Sequence, residues 1–366
     1  MLKRIFADNF RALVNFEFRP GQLSLLLGGN GSGKTTVFEV LGKLRDLIVL
    51  GLPASDLFSL TRTRWETRDV QRFEVDVEGD GGIYRYVLEI QHPEETHGKP
   101  FIRSENVTFD GVLLYRSSAG EIQLYRDDQS AGPVFPFRPD QSFLPYLDPP
   151  GARQMTRLAA FKELVAGFWI VQPNPFVIDL VSKEDQVSLD RNGRNFPSFF
   201  SYLNSERPDV RTELEKRLHD ALPGFRNLLF RRVGDAKLLL AAFSEDDKLP
   251  VEYNLLELSE GQRVLAVLYA AVCGLFHREA VLCFDEPDNF VSLSEIQPWL
   301  QVLRDTLELR GGQAMIISHH PEVMDYLALD SLWQFERPSG PVIARPLEAD
   351  IASPLKLSEL VARGAA

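Results

Sequence analysis

Cysteine, long apolar runs and surplus positive charge are all scarce in this sequence. Its two cysteines, Cys273 and Cys283, lie inside apolar segments, so the chain has no material for a disulfide framework or a four-ligand zinc site. The longest apolar run, 264–276, is shorter than the roughly 20 residues that a membrane helix needs. Charged residues appear within 1–8, before any apolar stretch, so we expect no signal peptide. These absences predict a cytoplasmic protein without a membrane span.

The charge balance limits the classes of ligand. The chain has 40 Lys and Arg against 52 Asp and Glu, a formal net charge of -12, which argues against a surface coated with positive charge for polyanion binding. One local stripe is compatible with that total, because four arginines flank a tryptophan: Arg62, Arg64, Trp65, Arg68 and Arg72. This stripe could bind nucleic acid, but a solvated face is the simpler interpretation.

The apolar patterns predict an α/β protein of about two lobes, because 366 residues with 44% hydrophobic side chains can build a sizeable core. Strands are predicted at 2–7, 13–18, 23–27, 72–77, 83–91, 102–109, 112–115, 122–125, 280–284 and 314–317, with a hairpin of 332–335 and 342–346. Helical periodicity occurs at 37–48, 156–168, 196–222, 260–276, 293–309 and 355–363. The Pro-rich stretch 133–150 is predicted to be an irregular connection.

A glycine-rich loop follows the apolar run 23–27 and matches the pattern G-x-x-x-x-G-K-[ST]. In such a loop, backbone N–H groups surround phosphate oxygens, a lysine reaches the β- and γ-phosphates, and a hydroxyl contacts Mg²⁺. A chance Gly-rich turn is a poor alternative, since the loop lies between a strand and a helix. The predicted ATP-binding residues are Gly28, Asn30, Gly31, Ser32, Gly33, Lys34, Thr35 and Thr36, with Lys34 also catalytic and Thr35 also a metal ligand.

Two carboxylates end the apolar run 280–284. Ligands bind at the carboxyl ends of parallel strands, so we expect Asp285 to hold Mg²⁺ and Glu286 to orient or deprotonate the attacking water. A surface turn with two solvated acids is the alternative. The glycine-rich loop makes that alternative less favourable, because a phosphate-binding loop requires a carboxylate elsewhere in the chain to hold the metal.

The segment Leu258-Ser259-Glu260-Gly261-Gln262-Arg263 opens an apolar helix, with Ser259 as its N-cap. Alone it indicates a capped core helix. Together with the two motifs above, it resembles the L-S-G-G-Q signature of the ATP-binding-cassette (ABC) superfamily, with Glu260 in place of the first glycine. The resemblance implies that Ser259, Gly261 and Gln262 contact the nucleotide bound by the opposite subunit.

Three further candidates come from the same resemblance. His319, after the run 314–317, resembles the switch histidine that reaches the γ-phosphate, although the sequence does not decide between His319 and His320. Gln172 resembles the glutamine that joins the metal site to the helical lobe, or is simply a strand-end residue. The segment 9–11 is similar to the N-F-R segment of repair-type ATPases, which makes Arg11 a nucleotide-binding candidate.

Within the superfamily, the chain resembles the stand-alone predicted ATPases of the RecF/OLD/SMC-like branch. This implies a P-loop ABC-type head with a mixed β-sheet core, an antiparallel β-subdomain and a helical lobe. The expected lobes are 1–170 for nucleotide binding, 171–258 for the helical lobe, and 259–366 to complete the first lobe. Because the sequence ends at residue 366, soon after the expected head, we expect no nuclease domain of the kind that larger OLD members carry.

The resemblance implies an Mg²⁺- and ATP-dependent homodimeric switch that hydrolyses ATP between two heads, without a membrane partner. Its other partner would be DNA or a separately encoded nuclease or effector, in repair or phage defence. Two alternatives stay open at this point. One is the energy-coupling subunit of an ABC transporter, and the other is a nucleotide-binding scaffold that hydrolyses little.

Overall fold

The structure is a computed structural model that describes residues 1–93, 98–147, 154–244, 249–327, 331–347 and 356–362. Its strands are, in chain order, β1 (Leu2–Asp8), β2 (Phe16–Phe18), β3 (Leu23–Leu27), β4 (Val70–Gly79), β5 (Gly82–Gln91), β6 (Phe101–Phe109), β7 (Val112–Ser118), β8 (Glu121–Tyr125), β9 (Ala131–Pro136), β10 (Phe168–Val171), β11 (Val181–Ser182), β12 (Phe225–Val233), β13 (Ala236–Phe243), β14 (Val251–Asn254), β15 (Val281–Asp285), β16 (Gln313–Ile317), β17 (Ser331–Glu336) and β18 (Ile343–Leu347).

The helices alternate with these strands. They are α1 (Lys34–Arg45), α2 (Ala54–Phe58), α3 (Thr156–Ala166), α4 (Phe196–Glu206), α5 (Pro208–Ala221), α6 (Glu260–Leu275), α7 (Leu293–Arg310), α8 (Pro321–Tyr326) and α9 (Leu357–Ala362). A π-helical turn, Asp46–Leu50, extends α1. The mixture of helices with parallel and antiparallel strands confirms the predicted α/β class. Within the described residues, no helix is long and apolar enough to cross a bilayer.

The described residues divide into two compact units. Unit 1 takes in those of Met1–Phe168, Glu279–Val281 and Asp330–Glu348, and unit 2 those of Trp169–Arg278, Leu282–Leu329 and Ala349–Ala366. Each unit therefore contains segments that are far apart in the sequence.

Unit 1 contains an eight-stranded antiparallel sheet in the order β2-β1-β4-β5-β6-β7-β8-β9. Tight turns that carry two consecutive left-handed residues join β4 to β5, β6 to β7 and β7 to β8: Asp80-Gly81, Asp110-Gly111 and Ala119-Gly120. Such turns match the right-handed twist of paired strands. Helix α3 packs on this sheet, where the ring of Phe161 stacks on Tyr86 with centroids 5.7 Å apart. The sheet includes the predicted antiparallel insert and adds β1, β2 and β9 to it.

A smaller group of strands in unit 1 carries the glycine-rich loop. The fully buried strand β3 pairs in parallel with β17, and β17 pairs antiparallel with β18, which gives a mixed arrangement. Because β3 is buried along its whole length, the loop that follows it starts from a fixed point.

Unit 2 is built around α6, a helix buried along almost all of its length. Strands β15 and β16 are also fully buried, and Trp299 of α7 packs edge-on against Phe284 of β15 with centroids 4.9 Å apart. Helices α4 and α5 account for the helical pattern predicted at 196–222. The same unit contains a sheet of β11, β12, β13 and β14 that the prediction of a helical lobe omitted. Strand β13 is rich in Leu and Ala, which favour helices, so its composition did not predict a strand.

Two other predictions of secondary structure were wrong in part. The stretch 133–150 is not irregular at its start, because β9 forms the edge of the large sheet, where proline is tolerated. Only Phe16–Phe18 of the predicted strand 13–18 is extended, since Phe10 and Leu13 bond to each other in a turn. The predicted final helix at 355–363 corresponds to α9, and its two outermost positions lie outside the described residues.

A buried carboxyl group anchors the middle of the large sheet. Glu105 on β6 has no exposed surface and accepts hydrogen bonds of 2.8 Å from the hydroxyls of Tyr86, Tyr115 and Ser142. Burial raises the pKa of the Glu105 carboxyl above its ordinary value of 4.5, and these hydrogen bonds oppose the rise only in part. The folded state therefore holds this proton at pH values where the unfolded chain has released it.

This linkage predicts the pH dependence of a Glu105→Gln variant. The contribution of the raised pKa to stability is complete below about pH 4.5 and is lost as the pH rises through the folded-state pKa. Relative to Glu105→Gln, the wild type should lose about 1.4 kcal/mol of unfolding free energy for each unit by which the pKa is raised. Urea unfolding between pH 4 and 8 measures this difference. The exposed Glu121→Gln on β8 is the control, and parallel wild-type and Glu105→Gln curves would contradict the interpretation.

Candidate nucleotide site

The loop between β3 and α1 can be built only with glycine at its two ends. Gly28 and Gly33 have φ of 141° and 100°, in the left-handed region that side chains disfavour. A Cβ on Gly28 would lie 2.2 Å from the carbonyl oxygen of Phe335, and one on Gly33 would lie 2.6 Å from the Val342 side chain. The glycines therefore let the loop pack closely against the ends of β17 and β18.

The first turn of α1 presents the features of an anion site. Among the described residues, no side chain caps this turn and no acidic residue lies in it. Its backbone N–H groups and the positive end of the helix dipole favour a phosphate there. Asn30, Gly31 and Thr35 are exposed around the loop, while Ser32 is buried and Thr36 is half-buried.

Lys34 folds back over the loop. Its Nζ donates to the carbonyl oxygens of Gly28 at 2.6 Å and Gly29 at 3.0 Å, and it lies 3.4 Å from Ser32 Oγ. The side chain is almost fully buried, so the ammonium group is held inside the loop rather than in solvent. Phosphate oxygens are stronger acceptors for it than these carbonyls, because they carry charge.

Arg11 is paired at the surface of α1. Its guanidinium binds both carboxylate oxygens of Glu39, at 2.7 and 2.8 Å, and its side chain is half-exposed. Glu39 lies one helical turn after Thr35, on the same face of α1. The preceding Asn9 is fully buried and donates from its side chain to the backbone oxygens of Arg68 and Val70. Asn9 therefore fixes the local fold, and Arg11 is the member of the segment that solvent can reach.

Two of the four arginines in the stripe form ion pairs. Arg68 bonds to Asp8 and Glu66, and Arg72 bonds to Glu74 and Glu89. The ring of Trp65 lies under the Arg337 guanidinium, 5.2 Å from the ring centre. The ion pairs of Arg68 and Arg72 favour a solvated face over a strip of unpaired positive charge that would bind nucleic acid.

In unit 2, the predicted carboxylates occupy the end of β15. Asp285 is 1% exposed, and its Oδ2 accepts from Arg191 Nη2 at 3.1 Å. The next residue, Glu286, has φ of 51°, which is unusual for a residue with a side chain and is often found at functional sites. Its backbone N–H donates to the carbonyl oxygen of Ile317 at 2.9 Å, which fixes the turn beside the end of β16. The sharp turn leaves the Glu286 carboxylate about one-third exposed.

The two histidines after β16 have different surroundings. His319 Nε2 lies 3.9 Å from Glu286 Oε1, whereas His320 Nδ1 accepts the backbone N–H of Glu322 and caps α8. The geometry therefore favours His319 as the histidine that acts with Glu286. Asn289 Nδ2 donates to the other oxygen of this carboxylate, Glu286 Oε2, at 2.7 Å.

The signature segment forms the N-terminus of α6 as predicted. Ser259 Oγ accepts the N–H of Gln262 at 3.2 Å, and Gln262 Oε1 accepts the N–H of Ser259 at 3.0 Å, which is a complete capping box. A Cβ on Gly261 would lie 2.8 Å from the carbonyl oxygen of Phe290. Glycine at this position therefore permits the turn after Glu286 to approach the start of α6.

Gln172 lies just beyond β10, and its backbone N–H donates to the carbonyl oxygen of Arg191 at 2.6 Å. Arg191 is thus linked to Gln172 through its backbone and to Asp285 through its side chain. Arg191 was not among the predicted site residues, because nothing in the spacing of the polar run 190–195 shows that it reaches the end of β15. Asn289 was not predicted either, nor was Asp288, a carboxyl whose pKa is raised by burial.

Two of the predicted magnesium ligands, one in each unit, have donor atoms of suitable chemistry. The hydroxyl of Thr35 and the carboxylate of Asp285 are hard oxygen donors, the type that Mg²⁺ prefers. Within the described ranges, no group of three or more His, Cys, Asp or Glu side chains is arranged to hold a metal. A magnesium ion that also binds nucleotide phosphates needs only one or two carboxylates from the protein.

Comparison with known proteins gives a family for the central part of the chain. Residues 169–325 match the family model described as "AAA domain, putative AbiEii toxin, Type IV TA system". No curated protein matches the chain. This matched segment contains Gln172, Ser259, Asp285, Glu286 and His319.

The solved structures agree on the fold. An SmcHead bound to the C-winged helix domain of ScpA has a TM-score of 0.57 at 12% identity, covering 96% of this chain and 99% of that chain. An Smc head domain from Pyrococcus furiosus, with an extended coiled coil and bound to the C-terminal domain of ScpA, has a TM-score of 0.54 at 10% identity, covering 94% and 96%. At these identities the likeness concerns the fold alone. The chain therefore has the fold of an Smc head domain, and its residues 169–325 match the model of an AAA domain.

Proposed function

We propose that this protein binds Mg-ATP and hydrolyses it as a homodimeric switch. The observation that carries the proposal is the turn at Glu286, which presents a partly exposed carboxylate beside His319 and Asn289, one residue after the buried Asp285. A strained backbone is retained where the surrounding structure and function require it. The glycine-rich loop and Lys34 supply the matching phosphate-binding chemistry.

Each group has a defined task in this proposal. The loop N–H groups and Lys34 bind the β- and γ-phosphates, and Thr35, Asp285 and Gln172 would hold the magnesium ion, which neutralises phosphate charge when it is bound. Glu286 orients the attacking water and accepts its proton, and His319 contacts the γ-phosphate. Arg11, beside α1, is a further candidate for contact with the nucleotide.

The position of the signature segment supports the proposed dimer. Ser259, Gly261 and Gln262 lie at the N-terminus of α6, where Ser259 and the neighbouring Glu260 are exposed. A helix N-terminus with an exposed cap can bind the phosphate of a nucleotide on another chain. We therefore propose that each ATP is enclosed by Lys34 of one protomer and Ser259 of its partner.

The partner of this dimer is proposed to be a separately encoded nuclease or effector protein, or DNA, in a defence or repair system. The family description of residues 169–325 names a toxin of a type IV toxin–antitoxin system, which supports a defence role. The structurally similar Smc heads are bound to domains of ScpA, which supports a protein partner. The net charge of -12 is also better suited to a protein partner than to tight DNA binding by one head.

Two substitutions separate ATP binding from hydrolysis. Lys34→Ala should abolish productive binding, because it removes the ammonium group from the phosphate loop. Glu286→Gln should keep the affinity and lower hydrolysis by roughly 10² to 10³, because it removes the group that positions water. Nucleotide titration and phosphate release measure the two effects, with the surface variants Lys3→Ala and Glu308→Gln as controls. An equal loss of affinity in Lys34→Ala and Glu286→Gln would refute these roles.

Mixed dimers test whether the site is shared between protomers. Lys34→Ala and Ser259→Arg dimers should each be inactive, since the arginine would collide with the closed interface. A mixed dimer places both defects in one site and leaves the other site intact. Random mixing should therefore restore about a quarter of the wild-type phosphate release.

A mixture that stays inactive although mixed dimers have formed would leave two explanations. Either catalysis is not shared between chains, or both sites must act together. A dimer with Lys34→Ala in one chain only separates them. Activity in that dimer would reject the second explanation and count against a shared site.

A further inference from the structure

Arg191 and Asp285 form an ion pair between a buried anion and an accessible cation. The carboxylate of Asp285 is 1% exposed, while the Arg191 side chain is 40% exposed, and their closest atoms are 3.1 Å apart. Leaving a buried carboxylate without a compensating charge is costly. The guanidinium therefore stabilises the ionised form of Asp285 from the solvent side.

The loop that carries Arg191 is fixed through its backbone. The Asp190 N–H donates to Asn195 Oδ1 at 2.8 Å, and the Arg191 carbonyl accepts the N–H of Gln172 at 2.6 Å. Gly193, with φ of 72°, lies so close to Val267 of α6 that a Cβ would come within 2.9 Å of its side chain. Because the backbone is held on two sides, the long side chain of Arg191 can leave Asp285 without movement of the loop.

We infer that Arg191 is the resident counter-cation of Asp285 and must release this carboxylate before the carboxylate can hold a divalent cation. The inference rests on the proposed function, in which Asp285 is a magnesium ligand. A guanidinium and a magnesium ion both bind carboxylate oxygens, and one buried oxygen cannot serve both at full strength. Arg191 is thus a positioning residue, which holds the Asp285 carboxylate in place and raises the Mg²⁺ concentration needed to occupy it.

The competition has two measurable consequences. Without Arg191, the nucleotide-free protein should unfold at a lower temperature, because the buried Asp285 loses this ion pair. The same protein should need less Mg²⁺ to bind nucleotide, because no guanidinium has to be displaced. A residue with a merely structural role would lower stability without lowering the Mg²⁺ requirement.

The test measures binding of a non-hydrolysable ATP analogue as Mg²⁺ is titrated. Arg191→Met should lower the half-saturating Mg²⁺ concentration about five- to tenfold, the equivalent of losing one ordinary hydrogen bond. Binding in EDTA should be unchanged. Arg191→Lys keeps a cation with fewer donors, so its half-saturating Mg²⁺ concentration should lie between those of the wild type and Arg191→Met. The lysine variant also provides the test if Arg191→Met folds poorly.

Arg194→Met is the matched control. Arg194 lies on the same loop but is 64% exposed and pairs with the exposed Asp179 at 3.6 Å, so its removal should leave the Mg²⁺ requirement unchanged. In an Asp285→Asn background, Arg191→Met should have no further effect.

The outcomes separate this inference from the proposed function. If Asp285→Asn raises the Mg²⁺ requirement but Arg191→Met matches the wild type or requires more Mg²⁺, the inference is overturned and the metal role of Asp285 stands. If wild-type binding does not depend on Mg²⁺, or Asp285→Asn leaves the dependence unchanged, the proposed metal role fails and the inference fails with it. A lower Mg²⁺ requirement in Arg191→Met, but not in Arg194→Met, supports both the inference and the metal role of Asp285.

Discussion

A negative charge buried at the end of β15 is the constraint on which the organisation of unit 2 depends. Asp285 ends a strand in which every residue is buried, so its carboxylate needs a positive partner. Arg191 is one such partner, and the backbone of Arg191 is bonded in turn to Gln172. The same loop touches α6 at Val267, the helix that begins with the signature segment. One ion pair therefore links three segments that are far apart in the sequence.

Four of the ten described non-glycine residues with positive φ lie in or beside the predicted functional segments. Among residues other than glycine, Asn9 and Arg11 have positive φ in the N-F-R segment, and Glu286 and Phe290 have it in the turn after β15. A left-handed conformation is costly for a bulky side chain such as Phe290. In the second turn, the strain exposes the Glu286 carboxylate and brings the Phe290 carbonyl oxygen against Gly261. The unusual backbone of this turn thus joins the carboxylates to the signature helix.

The sequence was sufficient for features that depend on neighbouring residues. The phosphate loop, the Ser259 cap and the strand ending at Asp285 each follow from local patterns of glycine, capping residues and apolar runs. Features that depend on contacts between distant segments could not be predicted. The partnership of Arg191 with Asp285 and the different orientations of His319 and His320 are of this kind. Strand β13 was concealed for another reason, since its Leu and Ala residues favour a helix and only its pairing with β12 and β14 makes it a strand.

The central claim is that ATP is hydrolysed between two copies of this chain with Mg²⁺ present. The most direct measurement is phosphate release per chain as the concentration of the wild-type protein is raised, in Mg²⁺ and in EDTA. The account predicts release only with Mg²⁺, at a rate per chain that rises with protein concentration and then reaches a plateau as dimers form. A rate per chain that is independent of concentration, although the protein is shown to pass from monomer to dimer over that range, would contradict it. So would the absence of phosphate release at every concentration.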